Sequence, residues 1–494
     1  MKIKYYIFVS LIGLLSFQSC DVLDVDPVSF ITDKSFWTTE DDANGALIGV
    51  YTQFRDLASR DLYLLGEARS EMLCIGADGG SLGYDIYYNN TLNQDNIDIT
   101  WQQFYSIINS CNLILKKVPA IDFKNAADKN LILAQAYSMR AFCYFAMTKT
   151  WGDLIIHEDA IEGAVPEQLF KERSSQTAVF DLIKSDIQLA LDLYPNATVD
   201  NSRAMWSKPA TQVLKADVYL WTGKQLGGGQ QDFRTALDAL EEINKNDFML
   251  IEYKDIFEYS NKGNQEIVLS VRFDEIESGI NFYRFMWMNA NAVPGDVSDE
   301  IRNKIFPIGE GQGIIVGSQI IRDQFTTDDV RRDATFLEIY SKDIETGQPK
   351  YYSNIVLKGQ GLTKDGYRHF CSDVIIYRYA DILLLTAEAK NALNMDPSSE
   401  INEIRKRAYK DKYEQHIFTK GTQAENDKAI LKERLLEFAF EGKRWWDLIR
   451  FDAAFELVPS LSLFNGNKAK LLFPISMKTL SLESKVIQNE GWSN

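Results

Sequence analysis

The chain has 494 residues, of which 45% are hydrophobic and 12% aromatic, so it is long and apolar enough to form a large folded core. Its formal net charge at pH 7 is −17, which argues against nucleic acid as a partner and against a polybasic contact with anionic lipid. The five cysteines form no Cys-x-x-Cys pair and the three histidines are scattered, so a zinc site is not expected. No metal ligand and no cofactor is assigned from the sequence, which does not reveal whether the loop acids hold a calcium ion.

The first twenty residues predict a secretory signal that ends at a cysteine. Two lysines give it a positive start, and the apolar stretch 5–17 that follows is too short to span a bilayer. Such a signal resembles a bacterial lipobox, in which the cysteine thiol is acylated. We therefore predict that residues 1–19 are a signal peptide and that Cys20 is lipidated, with an ordinary signal and a coincidental cysteine as the alternative.

The chain up to about residue 250 has the apolar periodicity of a series of helices. Thr38 or Thr39 is suited to cap the first of them through its side-chain oxygen. The acidic residues at 40–42 also favour the positive end of this helix. Further helices are predicted at 60–73, 101–118, 126–150, 176–194, 208–221 and 232–243. Helices of this length in pairs resemble tetratricopeptide hairpins, which indicates a curved helical scaffold.

The segment 76–98 breaks this pattern, because Gly, Asn and Asp dominate it. A loop of about twenty residues in a compact domain is usually either functional or disordered. Three tyrosines within it favour function, since aromatic rings with polar tips suit a binding surface. The candidate ligand-binding residues of this segment are Asp78, Tyr84, Tyr87, Tyr88 and Asn90.

Residues 79–83 also match Gly-x-Ser-x-Gly, the nucleophile elbow of serine hydrolases. The elbow requires a buried strand before the serine and a helix directly after it. Neither flank fits, because the residues that follow have no helical apolar period. We therefore predict that Ser81 is not a nucleophile.

After residue 251 the pattern changes. Residues 266–273 predict a strand, whereas residues 278–317 are irregular and contain a cluster of aromatic residues. Two interpretations remain open: these aromatic side chains fill a core beneath loops, or they form an exposed platform for a ligand. On the second interpretation Trp287 is the first candidate for ligand binding, because indole offers the largest flat face, and Tyr283 is another.

The segment 433–451 is apolar on most of its faces and carries charges of both signs, so it is predicted to form a buried central helix. Its glutamates at 433, 437 and 441 recur every four residues and would repel one another without cations. Every acid has a cation within one turn, which favours a structural role over a catalytic carboxylate cluster.

Spacing along this predicted helix assigns its ion pairs. The i, i+3 relation predicts the pairs Glu441–Arg444 and Asp447–Arg450. Gly442 interrupts the apolar pattern and is unfavourable within a helix, so it is predicted to mark a bend or a close approach.

Several residues of this segment resemble the C-terminal motif of the SusD/RagB family, which are nutrient-binding lipoproteins of the bacterial outer membrane. The matching residues are Glu437, Phe440, Glu441, Gly442, Arg444, Trp445, Asp447, Leu448 and Arg450. The segments 377–384, 472–475 and 488–492 are similar to other parts of the family's C-terminal region. The resemblance extends in family order over almost all of the chain after the signal.

This resemblance implies a mostly α-helical fold with tetratricopeptide-like helix pairs and an irregular, loop-rich insertion with minor β-structure. Residues 20–250 would form the N-terminal helical region and residues 251–494 the C-terminal region, packed together as one globular body. The implied protein is not an enzyme. It is held in the outer membrane by lipid on Cys20, faces the cell exterior, and delivers an oligosaccharide to a SusC-like TonB-dependent outer-membrane transporter.

Three alternatives remain open from the sequence. Members of the same family differ in cargo, so the ligand could be a peptide. A glycoside hydrolase needs two carboxylates about 5–9.5 Å apart, and 70 acidic residues supply many pairs without a recognisable motif. The third alternative is a scaffold whose helices bind protein partners and no nutrient.

Overall fold

The computed structural model describes residues 36–80, 82–163, 170–277 and 280–492. Helices make up 53% and strands 9%, which confirms the predicted mostly α-helical fold. The signal segment 1–19, Cys20 and Ser81 lie outside the described residues, so their roles stay predictions.

The N-terminal part is a series of helices, and its long helices lie close to the predicted positions. They are α1 (Glu40–Ala58), α2 (Asp61–Glu67), α3 (Asp85–Tyr88), α4 (Gln102–Lys117), α5 (Ala126–Trp151), α6 (Gln176–Leu193), α7 (Lys208–Gln225) and α8 (Gly229–Glu241). Helix α1 begins at a capping box, in which the Thr39 hydroxyl accepts the Asp42 N–H and the Asp42 carboxylate accepts the Thr39 N–H. Helix α5 packs on α6, and α7 packs on α8, as expected of helix pairs.

The C-terminal part contains shorter helices and most of the strands. The helices are α9 (Asp299–Ile305), α10 (Gln319–Arg322), α11 (Arg331–Thr335), α12 (Tyr379–Ala392), α13 (Ser398–Tyr409), α14 (Gln423–Phe438), α15 (Arg444–Arg450), α16 (Ala454–Leu457) and α17 (Met477–Leu482).

The described strands pair in twos, and each pair is antiparallel. These pairs are β1 (Leu73–Ile75) with β3 (Ile315–Gly317), β2 (Ile267–Val271) with β8 (Val374–Arg378), β4 (Phe336–Lys342) with β5 (Pro349–Val356), and β6 (Leu362–Lys364) with β7 (Tyr367–His369). Strand β1 belongs to the N-terminal part and pairs with β3 of the C-terminal part, so backbone hydrogen bonds join the two parts.

The segment 433–451 forms two helices rather than the single helix predicted. Helix α14 ends at Phe438 and α15 begins at Arg444. Between them Phe440 and Gly442 have φ angles of 64° and 75°, which a right-handed helix cannot contain. The prediction of one continuous helix is therefore wrong, whereas the prediction of a bend at Gly442 is confirmed.

Helix α2 holds this turn in place. A Cβ atom added to Gly66 would lie 1.9 Å from the carbonyl oxygen of Gly442, so the two backbones touch. The carboxylate of the neighbouring Glu67 accepts the backbone N–H groups of Phe440, Lys443 and Arg444. These backbone N–H groups lie at the turn, where the two helices provide no acceptors for them, and Glu67 supplies the acceptors.

One hydrophobic core runs through both parts, from Ala43 in α1 to Trp492 near the C-terminus. Cys111 and Cys143 lie within it as free, buried thiols and pack as small apolar side chains. Burial raises the pKa of the Cys111 thiol to about 12. Among the residues that the structure describes, no helix has the length and apolarity needed to cross a membrane.

Candidate functional site

The glutamates of the segment 433–451 lie in a buried network of ion pairs. Arg378 is at its centre: its Nη1 is 2.5 Å from Glu437 and its Nε is 2.9 Å from Glu441. Arg331 binds both Glu433 and Glu437, at 2.7 and 3.1 Å. Each of these charges has a partner in the protein interior, where an unpaired charge would be costly. This geometry supports the predicted structural role of the glutamates.

One of the two predicted ion pairs is absent. Glu441 binds Arg378 and Lys358, whereas Arg444 binds Glu71, so the predicted Glu441–Arg444 pair is wrong. The turn at Gly442 separates the two residues, and helical i, i+3 geometry does not apply across it. Asp447 and Arg450 both lie in α15, and their predicted pair is confirmed at 3.1 Å.

The aromatic cluster around Trp287 fills a core beneath loops, which is the first of the two interpretations. Trp287 is only 1% exposed, and its Nε1–H donates to the Ile305 carbonyl oxygen at 3.2 Å. The Tyr283 hydroxyl is buried and donates to the Phe440 carbonyl oxygen at 2.8 Å. Burying large rings stabilises the fold, and neither ring presents a face to solvent. We therefore revise the expectation that these two residues form an exposed platform.

Three of the five candidates in the segment 78–90 are also buried. Tyr84 packs edge-on against Phe282, and the Tyr87 hydroxyl donates to Asp98. The Asn90 amide accepts a hydrogen bond from Arg69 and donates one to Ser460, so it ties the segment to the core. The predicted loop contains the short helix α3, which turns Tyr84 and Tyr87 inward and leaves Tyr88 partly exposed.

Tyr88 borders a surface groove of about 670 Å³. Its walls come from four segments: the chain around β1, helix α3, the start of α10, and the residues after α16. Its lining includes Glu71, Cys74, Ile75, Asp85, Tyr88, Asn89, Ser318, Ile320 and Ser460. The remaining candidate, Asp78, lies outside this lining and accepts a backbone hydrogen bond from Asn289.

Glu71 lines the groove and has one unsatisfied carboxylate oxygen. The side chain lies deep, with the residue only 7% exposed. Arg444 donates to its Oε1 from Nε at 2.9 Å and from Nη2 at 2.5 Å, while Oε2 is buried without a hydrogen-bond partner. A buried acceptor left unpaired costs about 1–3 kcal/mol, so a donor from a bound molecule would be stabilised here.

The rim of the groove combines apolar and polar groups. Ile75 and Ile320 are partly exposed although both are apolar. Burial, together with the nearby Asp85 carboxylate, raises the pKa of Tyr88 to about 12. Like any tyrosine hydroxyl, it is protonated at neutral pH and can donate a hydrogen bond. An aromatic ring, apolar side chains and a few convergent polar groups are the composition of a small-molecule binding site.

Of the residues that line this groove, only Tyr88 was a candidate predicted from the sequence. Glu71 was missed because its partner Arg444 is far away in the sequence, and no local pattern marks the pair. Asp85 and Asn89 lie inside the segment singled out as functional, and their polarity beside Tyr88 is a signal that was available. Among the described residues, no group of three or more His, Cys, Asp or Glu side chains could hold a metal ion.

Comparison with known proteins decides the family. A model described as "SusD family" matches residues 348–492, and one described as "Starch-binding associating with outer membrane" matches residues 47–220. The solved structure of B. fragilis NanU is 31% identical, with a TM-score of 0.85, and the match covers 95% of this chain and 100% of that one. The chain belongs to the SusD/RagB family.

Other relatives agree over the full length. A SusD superfamily protein from Bacteroides vulgatus is 30% identical with a TM-score of 0.81, over 92% of this chain and 100% of that one. SusD-like protein P38 of Formosa agariphila is 28% identical over 98% of this chain and 97% of its own. Members of the SusD/RagB family are non-enzymatic binding proteins associated with glycans and with the outer membrane, so the hydrolase alternative is set aside.

Proposed function

We propose that this SusD/RagB protein binds an oligosaccharide in the groove beside Tyr88, at the exterior face of the outer membrane. Lipid on Cys20 anchors it there, and a SusC-like TonB-dependent transporter receives the ligand. The proposal rests on the groove itself, which is lined by Tyr88, two exposed isoleucines and Glu71. The family description of starch binding at the outer membrane supports a glycan as the ligand.

The groove provides both parts of sugar recognition. The Tyr88 ring offers a face for the apolar side of a sugar ring, and Ile75 and Ile320 extend the apolar surface. The Glu71 carboxylate and the Asn89 amide offer hydrogen-bond partners for sugar hydroxyl groups. A volume of about 670 Å³ lies within the range typical of ligand sites and suits a segment of a few sugar units.

A glycan array probed with the purified chain, followed by calorimetry on the tightest binder, tests this function. Tyr88→Ala should weaken binding about tenfold, which corresponds to about 1.4 kcal/mol, because the ring face is lost. Tyr352→Ala is the matched control, since Tyr352 lies on β5 outside the groove lining and is 39% exposed. Equal affinity in the two variants, or binding of peptides and of no glycan, would contradict the proposal.

The transporter partner needs a separate test. A tagged copy of the protein, purified gently from outer membranes of its native cell, should retain a TonB-dependent β-barrel at a fixed ratio. The control is the Cys20→Ala variant, which should lack the lipid anchor and therefore retain less of the transporter. Purification of the anchored protein without any such barrel would argue against the delivery step.

A further inference from the structure

We propose that the groove selects its glycan by charge, accepting neutral or amine-bearing sugars and rejecting those that carry carboxylate or sulfate groups. This inference rests on the proposed function, because it assigns the ligand class of the same groove. Glu71 is the residue that we assign to specificity, and Arg444 is the residue that positions it.

The charges that line the groove are all negative. Glu71 and Asp85 are its charged residues, and no lysine or arginine is among the described residues that line it. A carboxylate or sulfate group entering this groove would lose hydration, and no lysine or arginine side chain of the lining would compensate for that loss. A sugar hydroxyl or ammonium group would instead donate to the lining carboxylates, and hydrogen bonds to a charged acceptor are among the stronger ones.

Of the pair formed by Glu71 and Arg444, only Glu71 lines the groove. Two nitrogens of Arg444, Nε and Nη2, donate to Oε1, and the third, Nη1, donates to the Leu431 carbonyl oxygen. Arg444 is buried and does not line the groove. Its charge therefore holds Glu71, a residue of the groove lining, in place, while Oε2 is buried without a hydrogen-bond partner.

Asp85 adds a second carboxylate on the rim. It lies in the first turn of α3 and is partly exposed, and no side-chain hydrogen bond of this carboxylate is found among the described residues. Its charge is close enough to Tyr88 to help raise the pKa of that hydroxyl. A ligand stacked on the Tyr88 ring would therefore lie within reach of this negative charge.

The first test compares three classes of oligosaccharide on one array: neutral, amine-bearing, and carboxylate- or sulfate-bearing. We expect every Tyr88-dependent ligand to be neutral or amine-bearing. Tyr88-dependent binding of an anionic glycan would overturn the charge selection while leaving the proposed function intact. Binding of no glycan at all would overturn the proposed function and this inference with it.

The second test reverses the charge on the rim. The probes are the tightest-binding neutral glycan and its C6-carboxylate derivative, prepared by oxidation. Asp85→Lys should raise the affinity for the carboxylate derivative at least fivefold at low salt, and added salt should reduce this gain. Asp411→Lys makes the same change of charge at an exposed site outside the groove lining and should leave the affinity unchanged. Equal effects of the two variants would overturn the inference.

The third test addresses Glu71 directly. Glu71→Gln keeps the size of the side chain and removes its charge, so it should weaken the amine-bearing glycan more than the neutral one. This ratio of two affinities, measured on the same preparation, does not depend on the fraction of folded protein. An unchanged ratio would show that the Glu71 charge does not contribute to selection.

Discussion

Arg444 donates two hydrogen bonds to one oxygen of Glu71, at 2.9 and 2.5 Å, and leaves the other oxygen of that carboxylate free. Arg444 begins helix α15, within the segment that carries the family motif, whereas Glu71 follows helix α2 and lines the groove. The pair therefore joins the buried charges of the C-terminal part to the candidate ligand site. A residue of the family motif has a role in the fold and also positions a groove residue.

Arg444→Ala should affect both stability and binding. It leaves Glu71 as a buried charge without its cation, which typically costs about 3–5 kcal/mol in the free energy of unfolding. It also releases the Glu71 side chain, so the glycan affinity of the folded fraction should fall. Arg450→Ala is the control, because it breaks buried pairs with Asp217 and Glu388 that do not line the groove. Denaturant unfolding and calorimetry on both variants measure the two effects, and equal affinities would contradict the role of Arg444.

Gly66→Ala should severely destabilise the protein. The added methyl group would lie 1.9 Å from the carbonyl oxygen of Gly442, so the two atoms would overlap. The oxygen belongs to the backbone, so no side-chain rotation can relieve the overlap. Gly45→Ala is the matched control, because Gly45 lies within α1 with no atom near the added Cβ. That change should stabilise the helix by about 1 kcal/mol. Thermal unfolding of both variants checks this pair of predictions, and a normal melting temperature for Gly66→Ala would show that the turn can move.

Glu441 should make stability depend on acid pH. Burial alone would raise its pKa, but Arg378 and Lys358 lower it to about 2, below its ordinary value of 4.5. Between these two values the unfolded chain binds more protons than the folded one, so stability falls as the pH drops from about 4.5 towards 2. In Glu441→Gln this contribution is absent. The stability difference between wild type and variant, measured by denaturant unfolding, should therefore be largest above pH 5 and shrink below pH 4. A constant difference would contradict the assignment.

Local signals in the sequence account for most of the helices. The capping box at Thr39 and the apolar period after it define α1 without help from the rest of the chain. The split between α14 and α15 was not predictable in the same way, because Phe440 takes its positive φ where Glu67 and Gly66 hold the turn. Such a contact between distant segments produces no periodic pattern in the sequence.

The same distinction applies to the candidate site. Its composition marked the segment 78–90 as functional, and one of its tyrosines does line the groove. Composition cannot tell which ring faces the core, and the structure buries Tyr84, Tyr87 and also Trp287. The polar side of the groove depends on Glu71, whose orientation comes from Arg444. Residues as far apart in the sequence as Glu71 and Arg444 cannot be paired from the spacing of residues along one helix.

Cys20 should carry lipid in the mature protein. The observation behind this prediction is the short apolar signal that ends at Ser19 and Cys20. Cells grown with a labelled fatty-acid analogue should yield labelled wild-type protein and unlabelled Cys20→Ala protein. Cys371→Ala, which removes a buried thiol elsewhere, controls for the loss of a cysteine and should keep the label. Lipid on the Cys20→Ala protein would disprove this site of anchoring.

A crystal structure of the protein with its tightest-binding neutral glycan would show whether a glycan occupies the groove beside Tyr88. We predict a sugar ring stacked on the Tyr88 ring, with a hydroxyl group about 2.5–3.0 Å from the free oxygen of Glu71. A glycan well ordered on another surface of the protein, with the groove empty, would contradict this location of the binding site.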